Sequence, residues 1–278
     1  MYKNPVYGFE KPYLETIKNE LEKYAEQVYF DGFDNLIVSP AAVDEHTVLI
    51  GIEASENGFL INGISDNGLV EFSAYKEPDK NIAHQKSVAS NKKGVVFGEE
   101  KNYKIDFGYS SEKAVSKFLK KGDAIYIEPV LDSYGQAYYT NMKCFLLKNV
   151  MIELIKAAKN KNIVFAFVKE GKKGAYALGK TLKTNAAYFL CMVEDVPVSL
   201  IRKEGDYISN LKTDRAEISV LKKEESLAGA YYLAGGSCVS TGVTLSCQNM
   251  KNGVFKVLKA DIKKLAGLLN LEPNGAIE

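Results

Sequence analysis

The chain has 278 residues, 46% hydrophobic and 26% charged, and its 36 Lys and Arg against 35 Asp and Glu leave a net charge of +1. That length supports a sizeable core, as one large domain or a domain carrying a smaller one, and the charge balance gives no overall attraction to nucleic acid or to an anionic membrane. No apolar leader opens MYKNPVYGFEKPYLETIKNELEKY and no later run approaches the roughly eighteen uncharged apolar residues of a spanning helix, so a cytoplasmic protein with neither partner is expected.

Residues Lys11 to Val28 place Leu14, Ile17, Leu21 and Tyr24 at three- and four-residue spacing, which predicts an amphipathic helix. QVYFDGFDNLIVSP predicts a strand, a turn on Asp31-Gly32 and a second strand, and HTVLIGIEA is apolar enough for a central strand. From Asn57 the texture changes: GFLINGISDNGLVEFSAY alternates around a Ser-Asp-Asn-Gly turn, and further short strands run through KGDAIYIEPVLDSYGQAYYT, with one helix-like patch at SSEKAVSKFLKKGD. Many short strands in about eighty residues predict a small barrel or sandwich.

After Thr140 the pattern becomes helix, strand, helix, strand: NMKCFLLKNVMIELIKAAKNK, NIVFAFVKE, KGAYALGKTLKT and NAAYFLCMVED. This is the material of parallel sheets with helices outside. VTLSC and LKADIKKLAGLLNLE add a strand and a helix. The expected organisation is a discontinuous α/β domain of residues 1–56 and 137–278, with an inserted β domain at 57–136.

Cys144, Cys191, Cys238 and Cys247 are far apart, without the close pairs of a zinc ribbon, and are expected as buried reduced thiols. Only two histidines exist, His46 and His84, neither with paired metal-ligand spacing, so each reads as a loop residue. GGSCVSTG, residues 235–242, offers a Ser and a Cys among glycines but lacks a nucleophile signature and reads as loop packing; Glu99-Glu100 reads as a solvated turn. The pairs Tyr138-Tyr139 and Tyr231-Tyr232 read as strand and interface aromatics.

The order of these landmarks resembles the glutamyl aminopeptidase family, cytosolic cocatalytic metallopeptidases that include the tetrahedral, dodecameric aminopeptidases. FDGFDNLIV is similar to the family's Asp-x-x-Gly-Asn-Leu-Ile segment, although Phe33-Asp34 stands where the glycine is expected. IEASENGFLINGISDNGLVEF resembles the segment with its His-x-Asp-Glu-x-Gly-Phe motif, and NIAHQKS a Pro-Pro-His turn in the insert. KIDFGYSSEKAVSKFLKKGDAIYI and TNMKCFLLKNVMIELIK follow in family order, and VKEGKKGAYALG matches Glu-Glu-x-Gly-x-x-Gly-Ala through Gly171, Gly174 and Ala175. The resemblance implies an α/β fold, a zinc-peptidase-like (phosphorylase/hydrolase-like) αβα sandwich with an inserted small β-barrel of the dimerisation type. It also implies a homo-oligomer, a dimer or higher. The chain is shorter than typical members between Pro197 and Gly235, which bears on the substrate-side wall.

The family holds two divalent metals with two histidines, a bridging aspartate and further carboxylates, beside a glutamate general base. Carried across residue by residue, the first histidine falls on Glu53 and the following aspartate on Ser55. The bridging aspartate falls on Thr140 and the paired glutamates on Val168 and Lys169. The next aspartate falls near Cys191, with Glu194 and Asp195 leaving the register open, and the last histidine falls near Lys251. Threonine and valine cannot bridge divalent ions, and an ammonium opposes them. No cofactor is therefore expected, and the first reading is a degenerate aminopeptidase-like protein that takes a peptide or small carboxylate ligand.

A second reading is an active hydrolase using Zn, Co or Mn, with a site rebuilt from Glu170, Glu194, Asp195 and Glu53 and with Glu170 as candidate base. A third is a structural or regulatory subunit partnering an active relative. If the metals are gone, Lys169 or Lys251 is expected to pair with Glu53, Glu170 or Glu194; otherwise the lysines point to solvent.

Overall fold

The computed structural model describes residues 6–39, 43–44, 46–56, 58–74, 86–89, 91–98, 102–158, 161–195, 198–201, 217–219, 226–237, 239–250 and 253–271. His84, Glu99, Glu100, Cys238 and Lys251 lie outside them. In chain order the elements are α1 (Lys11–Leu21), β1 (Gln27–Phe30), β2 (Leu36–Ser39), β3 (Val48–Glu53), β4 (Phe59–Ile64), β5 (Val70–Ala74), β6 (Lys86–Ala89), β7 (Lys92–Phe97) and β8 (Lys104–Asp106). Then come α2 (Glu112–Val115), β9 (Ala124–Ile127), β10 (Leu131–Tyr134), β11 (Ala137–Thr140), α3 (Lys143–Ala157), β12 (Ile163–Val168), α4 (Lys172–Thr181) and β13 (Ala186–Glu194). The chain ends with β14 (Ser199–Ile201), β15 (Glu217–Ser219), α5 (Leu227–Leu233), β16 (Val239–Asn249), β17 (Phe255–Leu258) and α6 (Lys259–Leu268).

The large sheet runs β1-β2-β12-β3-β13-β16-β17-β11-β10. Its centre is parallel: β12 and β13 flank β3 in register, Phe165 beside Ile50 and Tyr188 beside Ile50, and β13 pairs in parallel with β16. The apolar runs read from the sequence alternate between two cores, as the two-residue period of a strand requires. Ile50, Ile52, Phe165, Phe167, Tyr188 and Leu190 face a core completed by α1, α3 and α6. Leu49, Val164, Ala166, Val168, Ala187 and Phe189 face the other, covered by α4 and α5. Both faces being covered explains why these strands are apolar on successive residues up to their carboxyl ends.

A separate closed barrel, β4-β5-β8-β7-β6-β9, is built around Phe59, Ile61, Val70, Val96, Ile105 and Ile125. Closure removes free strand edges. The expected 57–136 boundary runs past it, because β10 pairs antiparallel with β11 and belongs to the large sheet. A second difference concerns Tyr231-Tyr232, which sit in helix α5 and not in a strand. Tyr231 is buried, with its hydroxyl donating to Leu182 O at 2.7 Å, while Tyr232 is exposed. Among the described residues no helix is long and apolar enough to cross a membrane.

Candidate functional site

Ligand sites in open α/β sheets lie beyond the carboxyl ends of the parallel strands, where the following loops diverge. Here β3 ends at Glu53 and leads into Ser55 and Glu56, and β12 ends at Val168 before the turn Lys169-Glu170-Gly171 that starts α4. The middle of β13 supplies Leu190, Cys191 and Met192. Together with Lys143 and Cys144 at the start of α3, Lys172 and Lys173 of α4, and Tyr7, these segments enclose a cleft of about 740 Å³.

The turn is tightly specified. Glu170 has φ 51° and Gly171 φ 55°, the left-handed region that costs a non-glycine residue of order 1 kcal/mol or more. A β-carbon on Gly171 would lie 2.8 Å from Glu53 Oε1, so the Glu53 carboxylate needs the glycine for space as well as for conformation. Buried Asn35 holds the turn from behind, accepting from the Lys169 N–H at 2.9 Å and donating to Gly174 O at 3.0 Å. Glu10, wholly buried, joins both arms: one carboxylate oxygen accepts from Ser55 Oγ at 2.6 Å and from the Glu170 N–H at 3.2 Å.

The cleft mixes charge with an apolar floor. Leu147, Leu190 and Met192 line it beside Glu53, Glu56 and Glu170 and beside Lys143, Lys172 and Lys173. Lys143 Nζ lies 3.2 Å from Glu194 Oε1 and 4.4 Å above the Phe255 ring; Lys173 Nζ lies 3.7 Å from Glu170 Oε2. Glu56 accepts the Cys144 backbone N–H at 2.7 Å, placing a carboxylate at the start of a 15-residue helix whose N-cap residue has no side-chain cap, where the dipole favours it. Burial pushes the Cys144 thiol well up, with Glu56 adding to the shift, and pushes Cys191 up to about 12, with Cys247 adding to it. Both thiols are therefore neutral and poorly nucleophilic near pH 7.

Comparison with solved structures matches this architecture along nearly the whole chain. The aminopeptidase of the archaeon Desulfurococcus kamchatkensis aligns with TM-score 0.78 and 14% identity, covering 98% of this chain and 92% of its own. The TET aminopeptidase of a marine-sediment Thaumarchaeota archaeon gives 0.77 and 17%, covering 96% and 92%. The Pyrococcus horikoshii TET1 peptidase, which assembles into a tetrahedron or a large octahedral shell, gives 0.74 and 19%, covering 95% and 94%. This chain has the TET aminopeptidase fold. No protein-family model matches it.

On the TET aminopeptidase fold the positions singled out in the sequence separate. Glu53, Ser55, Glu170 and Cys191 line the cleft. Val168 is fully buried in the core beneath α4. Thr140 is buried at the end of β11, its hydroxyl donating to Met142 O at 3.0 Å and accepting from the Met142 N–H at 3.1 Å, and it borders a different hollow of about 520 Å³ with Tyr139 and Asn141. Glu194 ends β13 and is engaged by Lys143, and Asp195 follows it in a left-handed turn at φ 54°. Lys169 is only 16% exposed and lies 3.6 Å from Glu170 Oε1 and 3.7 Å from Asp34 Oδ2, outside the cleft lining.

The ammonium groups that do line it, Lys143, Lys172 and Lys173, were not singled out by the sequence. Two of them follow Gly171 in the same turn motif, which was the available signal. Glu56 stands at the glutamate of the His-x-Asp-Glu-x-Gly-Phe segment, which was its signal; Tyr7 and Glu10 gave none, since what they touch lies far away along the chain. His46 sits in the loop before β3 and does not line the cleft.

Proposed function

We propose that this protein is an aminopeptidase-like, metal-free member of the glutamyl aminopeptidase type that no longer hydrolyses peptides and uses its cleft to bind a peptide terminus or a small carboxylate. The observation that carries this reading is the lining itself: three ammonium groups share the space with three carboxylates, and no imidazole is among the described lining residues. A pair of divalent ions needs a bridging carboxylate and several fixed nitrogen or oxygen ligands. The residue at the bridging position, Thr140, spends its hydroxyl on the backbone of Met142, and Val168 offers only methyl groups. Among the described residues no three His, Cys, Asp or Glu side chains gather as a metal-holding group. The donor set therefore does not fit the paired-metal centre.

A ligand carrying both charges suits what is present. Its carboxylate would take charge-assisted hydrogen bonds from lysine, and its ammonium would meet Glu53, Glu56 or Glu170 over the Leu147–Leu190–Met192 floor. The same three carboxylates also favour the rival reading, a metal-dependent hydrolase with Glu170 as base. Pure protein assayed on aminoacyl anilides with added Zn²⁺, Co²⁺ or Mn²⁺ separates them: no release above the protein-free rate is expected, and cobalt-dependent turnover abolished by Glu170→Gln would establish the rival. We also propose a homo-oligomer, supported by the shells that the TET structures describe; light scattering on the same sample reads its size.

A further inference from the structure

The segment before α1 is tied to the cleft at four points. Val6 is 1% exposed and bridges Glu56 in parallel, and its methyl groups fill the space beside Gly58, where a β-carbon would lie 2.0 Å from Val6 Cγ2. Tyr7 lines the cleft; its N–H donates to Glu56 O at 3.4 Å and its hydroxyl to Glu170 O at 3.2 Å. Glu10 is fully buried, one oxygen holding Ser55 and Glu170, and its other oxygen, Oε2, is buried with no hydrogen-bond partner. Residues 6–10 thus touch both the exit of β3 and the β12–α4 turn, the two arms that the strands themselves leave separate.

We propose that residues 6–10 form a latch, with Glu10 as its positioning residue, that ties the two arms of the cleft together and opens as a unit, giving access to Cys144 in its wall. A buried carboxylate is costly unless its oxygens are satisfied, and one of these is not. Closure therefore stores unfavourable desolvation against two charge-assisted hydrogen bonds and the long Tyr7 contacts. The Glu170–Gly171 turn that it grips is in the left-handed region throughout. Such a balance gives a local opening less costly than global unfolding. Opening releases Glu56 from Val6 and Tyr7, and the Glu56 carboxylate accepts the Cys144 N–H at the start of α3, where Cys144 lies 6% exposed. The latch is independent of whether the cleft binds or hydrolyses its ligand.

Site-resolved alkylation by iodoacetamide, read by mass spectrometry on the intact chain, tests it. Cys144 reports the cleft; Cys247, 1% exposed in the main core and outside the cleft lining, reports global unfolding. Glu10→Ala should speed labelling of Cys144 by at least about tenfold with Cys247 unchanged, since it removes both charge-assisted bonds, from Ser55 and from the Glu170 N–H. Glu10→Gln keeps a carbonyl acceptor for Ser55 and Glu170 but not the charge, and should fall between the parent rate and that of Glu10→Ala. Tyr7→Phe, which removes only a hydroxyl, should speed Cys144 by a few-fold and serves if Glu10→Ala fails to fold. An unchanged Cys144 rate in Tyr7→Phe, or Cys144 and Cys247 rising together in the variants that fold, would overturn the latch.

Discussion

At the scale of single residues, the site is governed by which side chains can stand next to each other at the end of β12. Gly171 carries two demands at once, a φ of 55° and an approach of Glu53 Oε1 to within 2.8 Å of where a β-carbon would be. Gly171→Ala should cost about 1–3 kcal/mol in urea unfolding, the strain of the backbone and the displaced carboxylate together. A cost near zero would mean that Glu53 can swing away freely. The ion pairs around the same turn contribute much less: Lys11 and Lys169 hold the Asp34 carboxyl below its usual range, with the Lys11 hydrogen bond the larger cause. Because that pKa is depressed, its stabilisation is present above the unfolded carboxylate range and fades as pH falls through the folded value. At an exposed pair it is small.

At the scale of elements, the amphipathic α1 and the apolar β3, β12 and β13 were legible because burial on one face or two writes a period into the sequence. The end of the insert was not: LDSYGQAYYT has the short-strand texture of the barrel, and only pairing with β11 assigns β10 to the large sheet. Nor was the placement of Tyr231, whose neighbours AYYL suit a strand as well as a helix. Within α6 a contrast to Gly171 appears. Gly267 is helical, has no positive φ, and a β-carbon there would meet nothing within 4 Å. Gly267→Ala should raise stability by about 0.5–1 kcal/mol, since alanine loses less conformational freedom on entering a helix. Thermal unfolding at fixed protein concentration reads it; a loss would point to a contact on that face of α6.

At the scale of the whole molecule, the chain has the TET aminopeptidase fold at under 20% identity to the archaeal structures it resembles. Motif order along the chain was enough to suggest the architecture, because order reflects topology. It could not say which charges reach the cleft. Lys169 and Lys172 are three residues apart, yet one lies between Glu170 and Asp34, outside the cleft lining, and the other lines the cleft. Nor could motif order say that Thr140, in the bridging aspartate's place by order, borders another hollow. Folds constrain where a site can be; the side chains present decide its chemistry.

Metal stoichiometry of the pure protein, measured by plasma mass spectrometry after equilibration with Zn²⁺ or Co²⁺ and removal of free ion, bears most directly on that chemistry. Retained metal well below one ion per chain is the predicted result. Two tightly held ions per chain, lost on substituting Glu53 or Glu170, would contradict it.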